Sequence, residues 1–414
     1  MKLKTLSTAM ILATLPMTGA FAAAMDRSGQ SIAAFLQPGN YFEAGITVLD
    51  ADVSGTAFTG EATGDMASSY YFPSAALKIQ ATDNISVGLL YDQPFGAKAE
   101  YKEPTAAFTY AGEGTSAEVH TENLTLLVGF QPNVNWNFYG GAVYQEARGE
   151  VSLRGVAYSA LGGYPVPQLG GASLPYDANM KREGEWGWIA GLAYQIPEIA
   201  LKASLTYRSE IEHELESVET LNGLPASAVV GAVGLTINPG KTNVTTPQSV
   251  NLDLQSGIMA DTVGFLNVRW VNWDGNAIRP NDFGQIINGL GALTGDTSLI
   301  GGNLVEYNKD QWSATAGVGR KLSEKWAGNV SVGWDSGAGN PITTLGPVDG
   351  YWNVGLGVQY SPTPATFIAG GVKYFWLGDA ESQTAAQVGE DNRIVGDFED
   401  NNAIGYGLKI GYRF

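Results

Sequence analysis

Hydrolytic chemistry needs a nucleophile, a base and an orienting group within hydrogen-bond reach. The candidates for the base are two histidines, His120 and His213, and cysteine is absent. Neither a Gly-x-Ser-x-Gly elbow nor a His-Glu-x-x-His metal helix occurs in the sequence. Strand parity puts both histidines on the outward face near one rim, an ordinary place for a polar side chain. No pair of carboxylates is singled out for acid–base work. Neither a metal nor any other cofactor is expected, and an outer-membrane enzyme, a lipid hydrolase or a protease that would use rim carboxylates, is the weakest of the alternatives.

A second group of side chains could hold a ligand without reacting with it. Parity turns Lys78, Lys202, Arg208, Arg269, Lys309, Lys373 and Lys409 inward, with Asp253, Asp335, Glu183, Glu185 and Glu210. A ligand carboxylate needs one or two such cations on its path, whereas facing charges can equally brace the inside of a barrel through ion pairs. Arg208 and Lys309, both near the outer rim, are the cations expected to meet a ligand, with Glu210 beside them; Arg148 points outward. Leu90, Tyr139, Val143, Ile189, Val271, Phe367 and Phe375 share the inward face. That mixture suits an amphipathic or apolar passenger, or else fills space around a plug.

These residues sit on segments of about ten residues in which polarity alternates, the length a tilted strand needs to cross hydrocarbon. Leu124, Leu126, Val128 and Phe130 alternate with Asn123, Thr125, Leu127 and Gly129; Trp352, Val354, Leu356, Val358 and Tyr360 alternate with Asn353, Gly355, Gly357 and Gln359. From Tyr41 onward, short polar turns such as 81–84, 131–135 and 361–364 take turns with long loops such as 92–116, 150–182 and 274–308. Short turns on one rim and long loops on the other describe an antiparallel transmembrane β-barrel of about fourteen strands. The ten Trp are expected inside strands, mostly near their ends, as two interfacial girdles. An open edge in lipid would leave a row of backbone groups unpaired, so the first and last strands must meet.

The ends of the chain fit this reading. Lys2 and Lys4, an apolar stretch from Met10 to Met17, and the small residues Ala20, Ala22, Ala23 and Ala24 make residues 1–24 a signal peptide, cut after Ala22 or Ala24. Residues 25–40 form a short plug-like segment, and 41–414 the barrel. A net charge of −18 argues against nucleic acid. The last loop carries Asp379, Glu381, Glu390, Asp391, Asp397, Glu399 and Asp400, a solvated surface or a place where divalent cations bridge to lipopolysaccharide.

In Leu205-Thr206-Tyr207-Arg208-Ser209-Glu210 the chain resembles the FadL/TodX family of outer-membrane transporters for long-chain fatty acids and other hydrophobic molecules. Trp186-Gly187-Trp188 with Gly191 and Tyr194, Lys309-Asp310, and Gly333-Trp334-Asp335-Ser336 followed by Pro341 are similar to further family stretches. Tyr412 and Phe414 resemble the terminal signature read by barrel-insertion machinery. The resemblance implies a fourteen-stranded barrel with an N-terminal plug and a kinked third strand that opens sideways toward lipid. Two departures stand out: residues 25–40 are shorter than the usual plug, and the family's Asn-Pro-Ala element is absent.

Pro73, Pro94 and Gly96 are where such an opening is expected, because each proline removes a ladder donor. Apolar runs in the loops, 156–166, 221–235 and 283–293, read as an outer groove that captures substrate, or as helices packing a lid. Passive transport of hydrophobic compounds, most simply long-chain fatty acids, is the function expected; a water-filled porin for polar solutes is the main alternative.

Overall fold

Alternating polarity closes into a ring in the computed structural model, which describes residues 25–165, 167, 171, 173–231, 234–385 and 394–414; the expected signal peptide lies outside them. The strands are β1 (Tyr41–Asp52), β2 (Tyr70–Gln80), β3 (Ile85–Asp92), β4 (Ser116–Phe130), β5 (Trp136–Leu153), β6 (Tyr176–Ile196) and β7 (Leu201–Arg208). They continue with β8 (Ser249–Met259), β9 (Thr262–Val271), β10 (Gln311–Lys321), β11 (Trp326–Asp335), β12 (Tyr351–Tyr360), β13 (Thr366–Leu377) and β14 (Asn402–Arg413). Each pairs antiparallel with the next, and β14 returns to β1 from Tyr41↔Arg413 to Asp52↔Asn402. The side chains turned out are apolar and exposed, as along β4 at Leu124, Leu126, Val128 and Phe130 and along β14 at Ile404, Leu408 and Ile410. A water-soluble sheet would not leave such a belt uncovered.

Trp136 and Trp326 are exposed beside the short turns, and Trp186, Trp312, Trp334, Trp352 and Trp376 beside the long loops. Trp273 departs from the expectation: it lies past the end of β9, fully buried, and donates from Nε1 to Gln311 Oε1 at 2.8 Å. An indole with a satisfied N–H and apolar neighbours is at home in a core.

Parity fails at one place, with a structural cause. The register that pairs Ile189 with Arg208 also pairs Met180 with Ser217, so β6 has not slipped against the chain beyond β7. Yet β6 is bulged between Met180 and Glu183, and β7 is interrupted at Ser209 and Glu210 before resuming as Ile211–Leu215. Between these staggered irregularities opposing residues point to opposite faces, because an offset of one residue inverts every side chain. The ladder between 182–187 and 210–215 is lost; Ser209 N still reaches Trp188 O at 3.0 Å and Lys181 N reaches Glu216 O at 2.8 Å on either side. Two expectations are thereby corrected. His213 turns inward, buried, with Nε2 at 2.9 Å from Gln145 Oε1, and Glu210 turns out to solvent.

Residues 25–40 lie against the inner wall. Arg269 of β9 binds Asp26 at 2.6 Å and also donates to Gln30 Oε1 at 3.0 Å and Asn251 Oδ1 at 2.7 Å. Asn251 Nδ2 in turn donates to Gly29 O at 2.8 Å. Phe35 is fully buried against Tyr139, 5.8 Å between ring centroids. It also lies where a Cβ on Gly88 would be, 2.4 Å away, so Gly88 is required by close approach.

Two outcomes test this architecture. Leu126→Lys should cost about 2–4 kcal/mol in reversible unfolding from lipid vesicles, and a cost under about 0.5 kcal/mol, the size of an ordinary surface change, would contradict a lipid-facing side chain. Arg269→Met leaves the Asp26 carboxylate buried without its cation, a penalty of about 3–5 kcal/mol. The expected response is release of the N-terminal segment, read as trypsin cleavage after Arg27 that the parent chain resists; equal resistance in both would contradict it.

Candidate functional site

The wall of the barrel is open between β2 and β3. Their ladder runs from Gln80↔Ser86 to Ala75↔Tyr91 and stops. Pro94 cannot donate to a ladder, and β3 ends at Asp92 before the chain resumes at Gly96–Glu100, whose continuous ladder is with β4. On the other side Tyr70–Ser74 of β2 stay paired to β1 only, Pro73 lying opposite Ile46. The two chains meet again above, where Glu100 N donates to Met66 O at 2.8 Å. A window is left in the wall.

Backbone from the N-terminal segment occupies its inner side. Arg27 N donates to Pro94 O at 2.7 Å, Gly96 N donates to Met25 O at 2.8 Å, and Asp26 bridges to Phe95. The edge that β2 abandons is thus paired by residues 25–28, which answers the need for backbone partners at membrane depth. Ser28 Oγ donates to Asp92 Oδ2 at 2.7 Å, and the Arg27 guanidinium lies 3.9 Å from the centre of the Tyr70 ring. A Cβ on Gly96 would sit 2.6 Å from the Val119 carbonyl oxygen in the ladder, as well as 2.5 Å from that guanidinium, so this position requires glycine.

Behind the window is a narrow cavity of about 60 Å³ bordered by Pro73, Ser74, Tyr91, Gln93, Leu90 and Arg208. Tyr139 and Val143 are buried deeper in the bore with Phe35, Ile32 and Ile189. Phe367 stacks on Tyr41 at 6.4 Å, and Phe375 lies edge-on to Tyr351 at 5.3 Å.

The expected cations divide three ways. Arg208 is inside but engaged: it donates to the Gln30 carbonyl and, at 3.4 Å, to Asn251 Oδ1. Lys409 is paired with Glu43 at 2.9 Å. Lys309 is not in the bore; it is exposed on the rim because β10 begins only at Gln311, so inward parity does not reach it. Glu210 is exposed on the same rim side. Arg148 faces outward, directly opposite His120 on β4. The link sequence reasoning missed is the set of N-terminal backbone carbonyls that take up the bore cations, because a carbonyl leaves no trace in residue type.

Over this bore the long loops pack on one another. Trp273 contacts Phe95 at 5.6 Å and Tyr307 at 4.9 Å, and Phe283, Ile286, Ile287 and Leu290 of the helix Asn281–Thr294 are buried beneath. Glu219 accepts from the first amides of that helix, Asp282 N at 3.0 Å and Phe283 N at 2.7 Å, where a carboxylate is favoured by the helix dipole. Tyr101 donates to Thr344 O at 2.7 Å and Tyr158 bonds the Thr344 hydroxyl; burial raises both phenols above their ordinary range. Most of the apolar loop residues are thus buried in a lid, and Leu224, Leu293 and Ile300 stay exposed. Val166, Val233, Glu390 and Asp391 lie outside the described residues.

No curated protein sequence matches this chain. Among solved structures it is similar to a Pseudomonas aeruginosa FadL homologue, with TM-score 0.72 and 17% identity over 97% of this chain and 99% of that one. The P. putida toluene transporter TodX is similar at TM-score 0.62 and 14% identity, covering 95% and 94% of the two chains. The Ralstonia pickettii toluene transporter TbuX follows at 0.55 and 12%, covering 97% and 100%. These likenesses show a common barrel. The family model described as outer membrane protein transport protein (OMPP1/FadL/TodX) matches residues 21–414, and the chain belongs to that family of outer-membrane transporters of hydrophobic compounds.

Proposed function

We propose that this chain carries hydrophobic molecules passively across the outer membrane, with long-chain fatty acids as principal cargo and release through the window between β2 and β3. The observation that supports this is the window itself: an interruption of the ladder at membrane depth, backed by a cavity and sealed from inside by a removable piece of the same chain. About 60 Å³ holds a water or two and no lipid-like molecule, so this state is closed. Opening requires residues 25–28 to leave the edge of β3.

A fatty-acid carboxylate has the chemistry to start that step. It competes with the Gln30 carbonyl for Arg208, because a carboxylate brings a full opposite charge and can take two parallel N–H donors of the guanidinium where a carbonyl takes one. The alkyl chain would then lie along Tyr139, Val143 and Phe367, with Phe375 above, surfaces that now pack against the N-terminal segment or the loops. Exposed Lys309 and exposed Glu210 are left a role in encounter. A neutral aromatic of the kind carried by TodX could follow the same apolar path without the trigger at Arg208. The filled bore disfavours a water-filled porin, and the family's known structures are channels, which disfavours a hydrolase.

The register of β2 and β3, extended past Ala75↔Tyr91, sets Pro73 opposite Gln93. With no native cysteine, Pro73→Cys with Gln93→Cys can be joined across the window by a disulfide-forming bifunctional thiol reagent, a link that oxidation closes and reduction reopens. Uptake of a labelled long-chain fatty acid by vesicles or cells should fall about tenfold when the bridge is oxidised and recover on reduction. Undiminished uptake through the bridged barrel would eliminate the lateral route.

A further inference from the structure

The short-turn rim holds a second cavity, of about 360 Å³, whose lining includes Leu36, Lys78, Asn137, Ala193, Leu201 and Lys202. That size lies in the range of sites for small organic ligands. Its charge is unusual for this chain. Asp and Glu outnumber Lys and Arg by 41 to 23, yet the lining contains two lysines and no carboxylate.

The two ammonium groups bracket one stretch of the N-terminal segment. Lys202 Nζ donates to Leu36 O at 2.8 Å, and Lys78 Nζ donates to Gln37 O at 2.7 Å and to Gln80 Oε1 at 2.9 Å. Every one of these partners is neutral. Among the described residues neither lysine forms an ion pair, whereas Arg269 has Asp26, Lys409 has Glu43 and Arg154 has Asp177. Lys78 is almost fully buried, at 2% exposure. Two cations side by side without an anion repel one another and are desolvated at a cost that carbonyl oxygens only partly offset. Asn137 on the same wall has a buried amide oxygen without a partner; turned over, its N–H₂ would face an anion.

We propose that Lys78 and Lys202 form a carboxylate-binding site at the short-turn mouth, taking the anionic head of an amphipathic acid whose chain lies on Leu36, Ala193 and Leu201. Each ammonium has donors left after bonding the segment's carbonyls, since an ammonium carries three and Lys202 uses one. One carboxylate oxygen apiece would turn both lysines from an uncompensated pair into a bridged one. The site deepens the transport reading above by giving acids a stopping place that neutral hydrocarbons lack, at the end of the bore opposite the loops.

Equilibrium binding to the purified mature chain in detergent tests this without requiring transport, so a failure of uptake and a failure of this site are told apart. The probes are a labelled long-chain carboxylate, its methyl ester and acetate. The parent chain should bind the acid with an affinity about tenfold or more above the ester, each charge-assisted bond being worth that much. Lys78→Met with Lys202→Met should remove the preference while ester binding persists, and Lys202→Arg should keep it. The parent chain in this comparison and all its variants carry Arg208→Met, so that the carboxylate contact proposed beneath the loops adds nothing to the preference that is read. Equal affinity for acid and ester in the parent chain, or an acid preference that survives the double Met variant, overturns the proposal. Acetate competing as strongly as the long-chain acid overturns the assignment to amphipathic acids.

Discussion

Unpaired backbone is the quantity this molecule must manage, because hydrocarbon offers no substitute for a missing hydrogen bond. Closure of β14 on β1 removes the two edges of the sheet. The break between β2 and β3 makes a new edge, and the segment 25–28 pairs it from within. Apart from the stretch where 182–187 face 210–215, the ring pairs strand to strand; at the window the pairing is lent by a piece of chain that is also held by the Arg269–Asp26 ion pair. An opening in the wall and an obstruction in the bore are therefore one mechanical element. Moving the segment exposes the edge of β3 and clears the interior together.

The regular part of this arrangement was open to reading from sequence, since a strand in a barrel obeys period two and lipid selects the greasy face. Inward placement of Tyr139, Val143, Arg269 and Lys78 follows from that rule alone. Where the rule broke, the reason was local. A bulge in β6 and an interruption at Ser209–Glu210 changed the phase, so His213 went in and Glu210 went out. Lys309 precedes the first residue of its strand and has no phase to inherit. Irregularities of this kind depend on how three strands meet, and no window of ten residues contains that information.

The bore charges were visible as residue types but not as interactions. Arg208 and Lys202 look alike in sequence, as inward cations of one strand. In the fold one donates to the Gln30 carbonyl beneath the loops and the other to the Leu36 carbonyl at the opposite end. Both bind the same short segment, through backbone carbonyls that every residue carries and that no residue type reveals. The loops show the complementary case: apolar runs signalled burial correctly, but burial against one another, with Trp273 at the centre.

The account rests on the claim that residues 25–28 complete the edge of β3. Amide hydrogen exchange on the mature protein in detergent micelles, resolved at Arg27 and Gly96, measures it directly. Both amides should exchange as slowly as neighbouring ladder amides of β4, because each is held in a hydrogen bond to the other segment. Exchange at the rate of an open loop at both positions, with β4 still protected, would contradict it.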